Sequence, residues 1–423
     1  MIVKMIAGIG IVGWLFLSAS PALAGGIINK SNLSADYFRS LTRHASVDAA
    51  DVIPYNPAGV MKLENGAYLK VDLIYITKDY DNTVPVVLGV GESGAFNSDE
   101  PSIVPGLFAV YKQDKWAGFF AVTIPGGGGE VDYGTGNART SALSLGFIGL
   151  GFGTPPIQNM SLEANSFDIA YTIGGAYEIN PHISLSGGLR YVEAKQEFKG
   201  RVDFAVESYT VDIERNASGW GYFLGANLNP TGKLNIGILY QSNTDLNYKN
   251  KAQDDSPGAI ISTSVGWPDG SKEREDLPGL IGIGLGYWLT PKIRGEVAFT
   301  RYLESNATWR GVRFSGAEGD SWEVGASVTY IFNPQWRASI GYLYTDIVDM
   351  EPQNMMPEAP ELDARTIGVG AVYSPTPRWD ITIGYTNVNY ASVTTTVTSS
   401  RAPAGTEYEK HSTAVSLGVQ HHF

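Results

Sequence analysis

The chain ends in residues 413–423, which read TAVSLGVQHHF. Apolar or aromatic side chains recur at every second position, so Val415, Leu417, Val419 and the terminal Phe423 share one face. Small and polar side chains occupy most positions between them. Because successive side chains of a β-strand point to opposite faces, this period of two predicts a strand with one apolar face.

The same alternation recurs along most of the chain, and aromatic residues bracket many of the apolar rows, as in residues 322–330 and 379–385. Such rows fit a lipid-facing band between two aromatic girdles, with small and polar side chains facing a lumen. A soluble β-sandwich also alternates, but its buried face needs no aromatic residue at both ends of strand after strand. We therefore predict an all-β fold, a transmembrane antiparallel β-barrel of about 14 strands, near residues 66–78, 102–112, 116–125, 165–179, 182–199, 218–228, 234–249, 277–289, 293–310, 321–332, 336–349, 362–374, 379–398 and 405–423.

Short and long connections alternate along the predicted strands. Tight turns of Pro, Gly, Asn and Asp occur at 113–115, 180–181, 229–232, 290–291, 333–334 and 375–377. The intervening segments are longer, at 79–101, 126–163, 200–217, 250–275, 311–319, 350–361 and 399–404. Short turns on one rim and long loops on the other are typical of the periplasmic and extracellular ends of bacterial barrels, so we predict a multi-pass protein of the Gram-negative outer membrane.

Residues 1–24 have the features of a secretory signal peptide. Lys4 precedes an apolar run over 5–17, and Ala22-Leu23-Ala24 supplies a small-x-small cleavage site. The run is shorter than the ~20 residues of a spanning helix.

Residues 25–64 lack the alternation, and the barrel is predicted to occupy 65–423. The segment carries Leu33, Phe38, Ile53 and other apolar residues, whereas disordered tails are poor in them. We therefore expect residues 25–64 to fold as a hatch, or plug, inside the lumen rather than to form a disordered tail.

The composition argues against several function classes. A net charge of −13 and a pI near 4.9 disfavour nucleic acid as a partner, since phosphates attract basic surfaces. The chain has no cysteine and five histidines, with no metal-ligand spacing. A hydrolase site would have to combine His411 with Ser412 or Ser416, and no third partner is evident. We predict no catalytic residue, no metal and no cofactor.

Asn56-Pro57-Ala58 stands just before the first strand, and Pro125-Gly126-Gly127 ends the third. With the terminal Phe423, this arrangement resembles the FadL/TodX family of outer-membrane transporters for hydrophobic compounds. The resemblance implies that the hatch motif lies against an inward kink of the third strand, near residues 123–129, and that the kink opens a lateral window. A strand can lose its ladder there because proline lacks a donor and glycine tolerates bends. The alternative is that these glycines only begin an extracellular loop.

The segment 142–160 contains no charged residue, although it should lie outside the cell. Exposed apolar surface of this kind often marks a binding site, although the segment could equally pack over the barrel mouth or belong to a surface adhesin. We predict that a hydrophobic molecule is captured by Leu143, Leu145, Phe147, Ile148, Leu150 and Phe152.

The resemblance implies a lumenal binding step and then lateral exit into the membrane, which spares an apolar molecule the polar lumen. Long-chain fatty acids are the favoured substrates, with aromatic hydrocarbons as the alternative and an open porin or surface adhesin as the other function class. The expected partners are such a molecule, outer-membrane lipid, and the barrel assembly machinery through Phe423.

A carboxylate ligand requires a cation in the lumen. The alternation points Lys70, Arg190, Arg294 and Arg337 inward, together with several acidic side chains. Most lumenal charges pair with one another. Arg190 is the best candidate for a carboxylate contact.

Overall fold

A computed structural model describes residues 33–85, 94–309, 312–313 and 319–423. The predicted signal peptide lies outside these residues. Fourteen antiparallel strands, each hydrogen-bonded to the next, close the barrel. They are β1 (Gly66–Val84), β2 (Ser102–Gln113), β3 (Trp116–Tyr133), β4 (Ile157–Asn180), β5 (Ile183–Phe204), β6 (Ser208–Leu228), β7 (Leu234–Gln241), β8 (Leu280–Thr290), β9 (Ile293–Tyr302), β10 (Trp322–Asn333), β11 (Trp336–Asp346), β12 (Ala364–Thr376), β13 (Trp379–Tyr390) and β14 (Glu407–His422).

The two ends of the sheet join through β14 and β1. They pair from Thr83↔Glu407 to Tyr68↔His422, and the Phe423 amide donates to the Ala67 carbonyl at 2.9 Å. The predicted 14-strand barrel is thus confirmed.

The alternation in sequence becomes an alternation of exposure. On β1, Leu69, Val71, Leu73 and Tyr75 are 40%, 53%, 49% and 46% exposed, and the residues between them are buried. The exposed row faces lipid and the buried row faces the lumen. No helix in the described ranges is both long and apolar enough to cross a bilayer.

Several strands differ in length from the prediction. Residues 234–249 are not one strand, because the Asn243 side chain accepts from Gly279 N and donates to Asn306 O, both at 2.6 Å. Such side-chain bonds compete with the ladder. The chain resumes as a strand at Asn247–Asp254, and β4, β5 and β6 extend far beyond the bilayer. Further short strands are Gly94–Ser98, Lys272–Arg274, Thr308–Trp309, Val312–Arg313 and Val393–Thr394.

Residues 33–64 lie inside the barrel and contain helix α1 (Ala35–Ser40) and two 3₁₀ turns, Ala50–Val52 and Pro57–Lys62. Ser34 caps α1 by accepting from the Tyr37 amide, and Leu41 ends it in the left-handed region with φ 58°. The helix touches β10 to β14 on one side of the lumen.

A cap covers the end of the barrel that carries the long loops. It consists of helix α2 (Ala138–Leu150), helix α3 (Ile260–Ser264), the segment 350–362 and the outer parts of β4 to β6, packed as one apolar cluster. The expected apolar loop over 142–160 is therefore helical in its first part. Asn137 and Thr140 form a capping box that starts α2. Other 3₁₀ turns are Pro257–Ala259, Glu304–Asn306 and Pro352–Asn354.

Candidate functional site: a gap in the barrel wall and the lumen behind it

The wall opens between β2 and β3. Their pairing runs from Gln113↔Trp116 to Leu107↔Val122 and ends there among the described residues. Beyond this point β2 stays paired with β1, and β3 stays paired with β4 through two register shifts. We call the unpaired stretch between residues 102–106 of β2 and 123–129 of β3 the wall gap.

The gap follows from the residues on its two edges. Pro105 and Pro125 have no amide hydrogen to donate to a facing strand. Gly127 and Gly129 have φ of 88° and 73°, in the left-handed region that favours glycine. Residues 123–127 are buried without alternation, because β3 turns inward here.

The gap lies within the membrane. Its β2 edge pairs with β1 between Ile76↔Ser102 and Leu73↔Pro105. That part of β1 includes the lipid-facing side chains Leu73 and Tyr75. Above the gap β3 returns to the wall, where Lys78 Nζ donates to Ser102 Oγ at 2.8 Å and to Glu130 O at 2.6 Å. The opening therefore faces hydrocarbon and is closed at both ends.

A small cavity lies directly behind the third strand. Its volume is about 20 Å³, and it is lined by Thr123 and Pro125 of the gap, by hatch residues and by Arg190. One water needs about 10–15 Å³, whereas a benzene-binding cavity is about 150 Å³. The hatch residues are Leu33, Ile53 and Pro54. A ligand must therefore displace side chains or the hatch to enter.

Arg190 is 8% exposed and holds only neutral acceptors within the described ranges. Its guanidinium donates to Gln241 Oε1, to Ser242 O at 3.4 Å and to Thr244 Oγ1 at 3.1 Å. Asp168 offsets part of this charge without an ion-pair contact in the described ranges, so the guanidinium can still form charge-assisted hydrogen bonds with an anion.

The other inward cations that were singled out from the sequence have acidic partners. Lys70 contacts Asp36 at 2.5 Å and Asp72 at 3.2 Å. Arg294 contacts Glu296 at 2.6 Å, and Arg337 lies 3.6 Å from Asp380. Arg190 differs from these three cations because it lines the cavity behind β3 and its hydrogen-bond acceptors are neutral.

The hatch meets the wall through charges on one side. Asp36 lies between Lys70 and Arg39, which is 2.6 Å away, and Arg43 contacts Asp51 at 2.7 Å. Burial alone would raise the pKa of Asp36, but Lys70, Arg39 and Arg43 hold it well below its usual value. Asp36 is therefore ionised at neutral pH, and its ion pair with Lys70 ties α1 to β1.

The other side of the hatch is apolar. Ile53, Val60 and Met61 pack in one buried cluster with Phe119 of β3 and Phe223 of β6. The lumen beside the gap is thus more apolar than the polar lumen expected from the alternation.

The predicted hatch motif bonds to side chains of β5 and β6. Asn56 Nδ2 donates to Asn227 Oδ1 at 2.8 Å, and Ala58 O accepts from Ser184 Oγ at 2.9 Å. A Cβ at Gly225 would meet Pro57 Cγ at 3.0 Å. The motif therefore rests on β5 and β6, while Ile53 and Pro54, a few residues earlier, approach residues 123–125. Pro125, Gly126 and Gly127 do lie at the gap.

The six apolar residues proposed for capture divide into two groups. Leu143 and Phe147 are buried in the cap, and the Phe147 ring stacks on Tyr209 with centroids 4.9 Å apart. Leu145, Ile148 and Leu150 are half-buried, and Phe152 is 38% exposed. Most of this surface packs over the barrel mouth, which leaves Phe152 and its neighbours to solvent.

Lys410 was not predicted from the sequence. Its ammonium donates to Pro360 O at 3.0 Å and lies over the rings of Tyr80 and Tyr390, at 4.7 and 4.4 Å from their centroids. It lines a second cavity of about 80 Å³ between the hatch and the cap. The inward position of a lysine near the start of β14 is the signal that could have identified it.

No catalytic or metal arrangement is found among the described residues. His411 and Ser416 lie on opposite faces of β14, and Ser416 Oγ donates to Ala35 O at 3.3 Å. No cluster of His, Asp or Glu in the described ranges could hold a metal ion.

His44 gives the hatch a pH dependence. Its Nδ1 donates to Tyr55 O at 2.8 Å and its Nε2 lies 2.9 Å from Thr300 Oγ1. Burial lowers the pKa of His44 below 6.5, against smaller opposing effects of the Tyr55 carbonyl and Glu296. The folded state then binds fewer protons than the unfolded state. The stabilisation of the folded state by neutral His44 is therefore complete above about pH 6.5 and decreases as the pH falls toward the folded-state pKa.

We expect His44→Gln to make the denaturation midpoint less pH-dependent between about pH 7 and 5. An equal change of the denaturation midpoint with pH in the wild type and in His44→Gln would contradict this.

A transmembrane barrel with a lumenal hatch and a gap at membrane depth defines the class of outer-membrane channels for hydrophobic compounds. Residues 15–423 match the family of outer membrane protein transport proteins (OMPP1/FadL/TodX), and the chain belongs to this family. No protein of curated function gives a significant sequence match.

Solved structures share the fold at low identity. A FadL homologue of Pseudomonas aeruginosa is 14% identical with a TM-score of 0.70, over 92% of this chain and 98% of that one. The Ralstonia pickettii toluene transporter TbuX is 14% identical with a TM-score of 0.63, over 94% and 98%. The P. putida toluene transporter TodX is 13% identical with a TM-score of 0.62, over 87% and 92%.

Proposed function

We propose that this outer-membrane channel takes up long-chain fatty acids passively and releases them sideways through the wall gap. The observation that carries the proposal is Arg190, which is buried behind the gap and bonded to neutral acceptors. A carboxylate would accept charge-assisted hydrogen bonds from this guanidinium, whose acceptors in the described ranges are neutral and whose acidic neighbour Asp168 acts only at longer range, whereas a neutral hydrocarbon would not.

The surroundings of Arg190 suit an amphipathic ligand. Ile53, Pro54, Pro125 and Phe223 line the same cavity and offer apolar contact to an alkyl chain. From there the gap leads into the lipid, which an apolar chain prefers to water. Because transfer of an apolar chain from water to lipid is favourable, this route requires no energy source.

Replacement of Arg190 tests the head-group contact. We expect Arg190→Gln to lower uptake of labelled oleate by cells without their own channel about tenfold or more, because a charge-assisted hydrogen bond contributes about 1.5–3 kcal/mol. Arg190→Lys should retain part of the uptake. Arg337→Gln is the matched control, since Arg337 is a lumenal arginine with an acidic neighbour.

The same assay with toluene tests the second candidate function. Aromatic hydrocarbons are favoured by the small size of the cavity and by the aromatic ring of Phe223, which faces the lumen. If toluene enters rapidly and oleate does not, with or without Arg190, the channel carries hydrocarbons and the fatty-acid proposal is wrong.

Substitution of Phe147 and of Phe152 distinguishes packing of the cap from capture of the ligand. Phe147→Ala removes a fully buried ring of the cap and should cost about 3–5 kcal/mol of unfolding free energy. Phe152→Ala should change stability by about 0.5 kcal/mol or less, but lower oleate uptake about threefold by removing exposed apolar surface. Denaturation and uptake measured on both variants check this. Unchanged uptake by Phe152→Ala would contradict its part in capture.

A further inference from the structure

Three lysines form a row on the outer wall, on the part that projects beyond the bilayer. The pairing register places Lys195 beside Asn216, Asn216 beside Lys249, and Lys249 beside Lys272. Their side chains are exposed, and the flanking residues Ala194, Tyr248 and Asn250 are buried. Because neighbouring strands lie about 4.8 Å apart, the row spans about 15 Å. We call Lys195, Lys249 and Lys272 the lysine row.

Two members of the row face each other without a counter-charge. Lys249 and Lys272 are directly opposed in an antiparallel pair, where like charges destabilise a sheet. Neither has a carboxylate within ion-pair distance in the described part of the chain, whereas Lys195 contacts Glu197 at 2.5 Å. The exposed Glu193 and the half-buried Glu197 flank Lys195, so the free positive charge is concentrated between Lys249 and Lys272.

The row lies just outside the upper aromatic girdle. Tyr171, Tyr191 and Trp220 form a contiguous belt on the outer face, with centroid distances of 6.4 and 4.9 Å. Aromatic belts mark the membrane interface. Lys195 follows Tyr191 by four residues, about 13 Å along the strand, and a lysine stem can reach back toward the interface.

A groove connects the belt with the row. Phe167, Ile169 and Tyr191 form its apolar part, and its polar part holds Lys195 and Lys249 together with the carboxylates of Glu193 and Glu197. The groove offers acyl contact toward the membrane. Because Lys195 is paired with Glu197, Lys249 is the groove cation without an ion pair among the described residues.

We propose that Lys249 and Lys272 bind a phosphate group of an outer-leaflet glycolipid whose acyl chain lies along Phe167 and Ile169. A phosphate between the two ammonium groups removes their repulsion and forms charge-assisted hydrogen bonds with both. The site is on the outer face of the wall, away from the lumen, and is independent of the transported substrate.

Native mass spectrometry of the full-length protein in detergent, titrated with bisphosphorylated lipid A, tests the proposal. We expect Lys249→Gln/Lys272→Gln to weaken binding about tenfold or more. Lys233→Gln/Lys292→Gln, at exposed turns on the opposite rim, should bind as the wild type does. Heat-dependent mobility in gels confirms that each variant is folded.

Lipid A without its phosphates should bind the wild type no better than the double variant. Equal binding of both lipids, or unchanged binding by Lys249→Gln/Lys272→Gln, would overturn the proposal. Displacement of lipid A by millimolar inorganic phosphate would overturn it as well, because the site would then recognise the free ion. Oleate uptake by the double variant is expected to be unchanged, so this result is separate from the fatty-acid proposal.

Discussion

Gly126→Ala/Gly127→Ala is expected to reduce uptake of labelled oleate by about tenfold or more, because it disfavours the path of β3 that opens the gap. A Cβ at Gly127 would meet the Ser166 backbone, and one at Gly126 would meet the Asp168 carboxylate. Gly127 also has φ 88°, which alanine rarely adopts. The strand should therefore straighten toward β2 and narrow the gap.

Gly118→Ala is the matched control for this experiment. Gly118 lies on the same strand, and its Cβ would have no neighbour within 4 Å. We expect normal uptake from it. If the double variant is folded, as heat-dependent gel mobility reports, and transports oleate as the wild type does, the gap is not the exit.

Lys70→Met is expected to release the hatch from the wall. Lys70 is 1% exposed and contacts both Asp36 and Asp72, so its removal leaves buried carboxylates with less compensation. Breaking a buried ion pair on one side costs about 3–5 kcal/mol. We expect a lower unfolding free energy, faster proteolysis of residues 33–64, and entry of hydrophilic dyes that the wild type excludes.

Removing Asp72 together with the lysine distinguishes charge from packing. Lys70→Met/Asp72→Asn leaves Asp36 paired with Arg39 at 2.6 Å and removes the carboxylate that Lys70 alone pairs with in the described ranges, so it should recover much of the lost stability. Lys62→Met should have little effect, because Lys62 is partly exposed and its one hydrogen bond within the described ranges is to Pro181 O at 2.7 Å. If Lys70→Met keeps full stability and excludes dyes, these charges do not fasten the hatch.

The barrel was predictable because membrane depth imposes the same pattern on every strand. In residues 413–423 the apolar row, the small row and the terminal Phe423 already specify a strand, its outward face and its end. Strand lengths were less predictable, since alternation continues above the bilayer in β4 to β6 and stops early where Asn243 bonds to Gly279 and Asn306.

The site was predictable only where backbone chemistry determines it. Pro125 and the following glycines identify the gap, and Pro105 on the opposite edge is an equally clear signal that was overlooked. The position of Asn56-Pro57-Ala58 depends on contacts with Asn227 and Ser184, more than a hundred residues away, which no local pattern reveals. The neutral partners of Arg190 are likewise a tertiary property.

The measurement that tests lateral transport most directly is photo-crosslinking with a fatty acid that carries a diazirine along its chain, followed by mass spectrometric mapping in intact outer membranes. We expect adducts at residues 102–106 and 123–125 on the two edges of the gap, and their loss in Gly126→Ala/Gly127→Ala. Adducts at residues 60–64 of the hatch, beside the short turns, with none at the gap would show that the ligand passes along the lumen and would contradict lateral release.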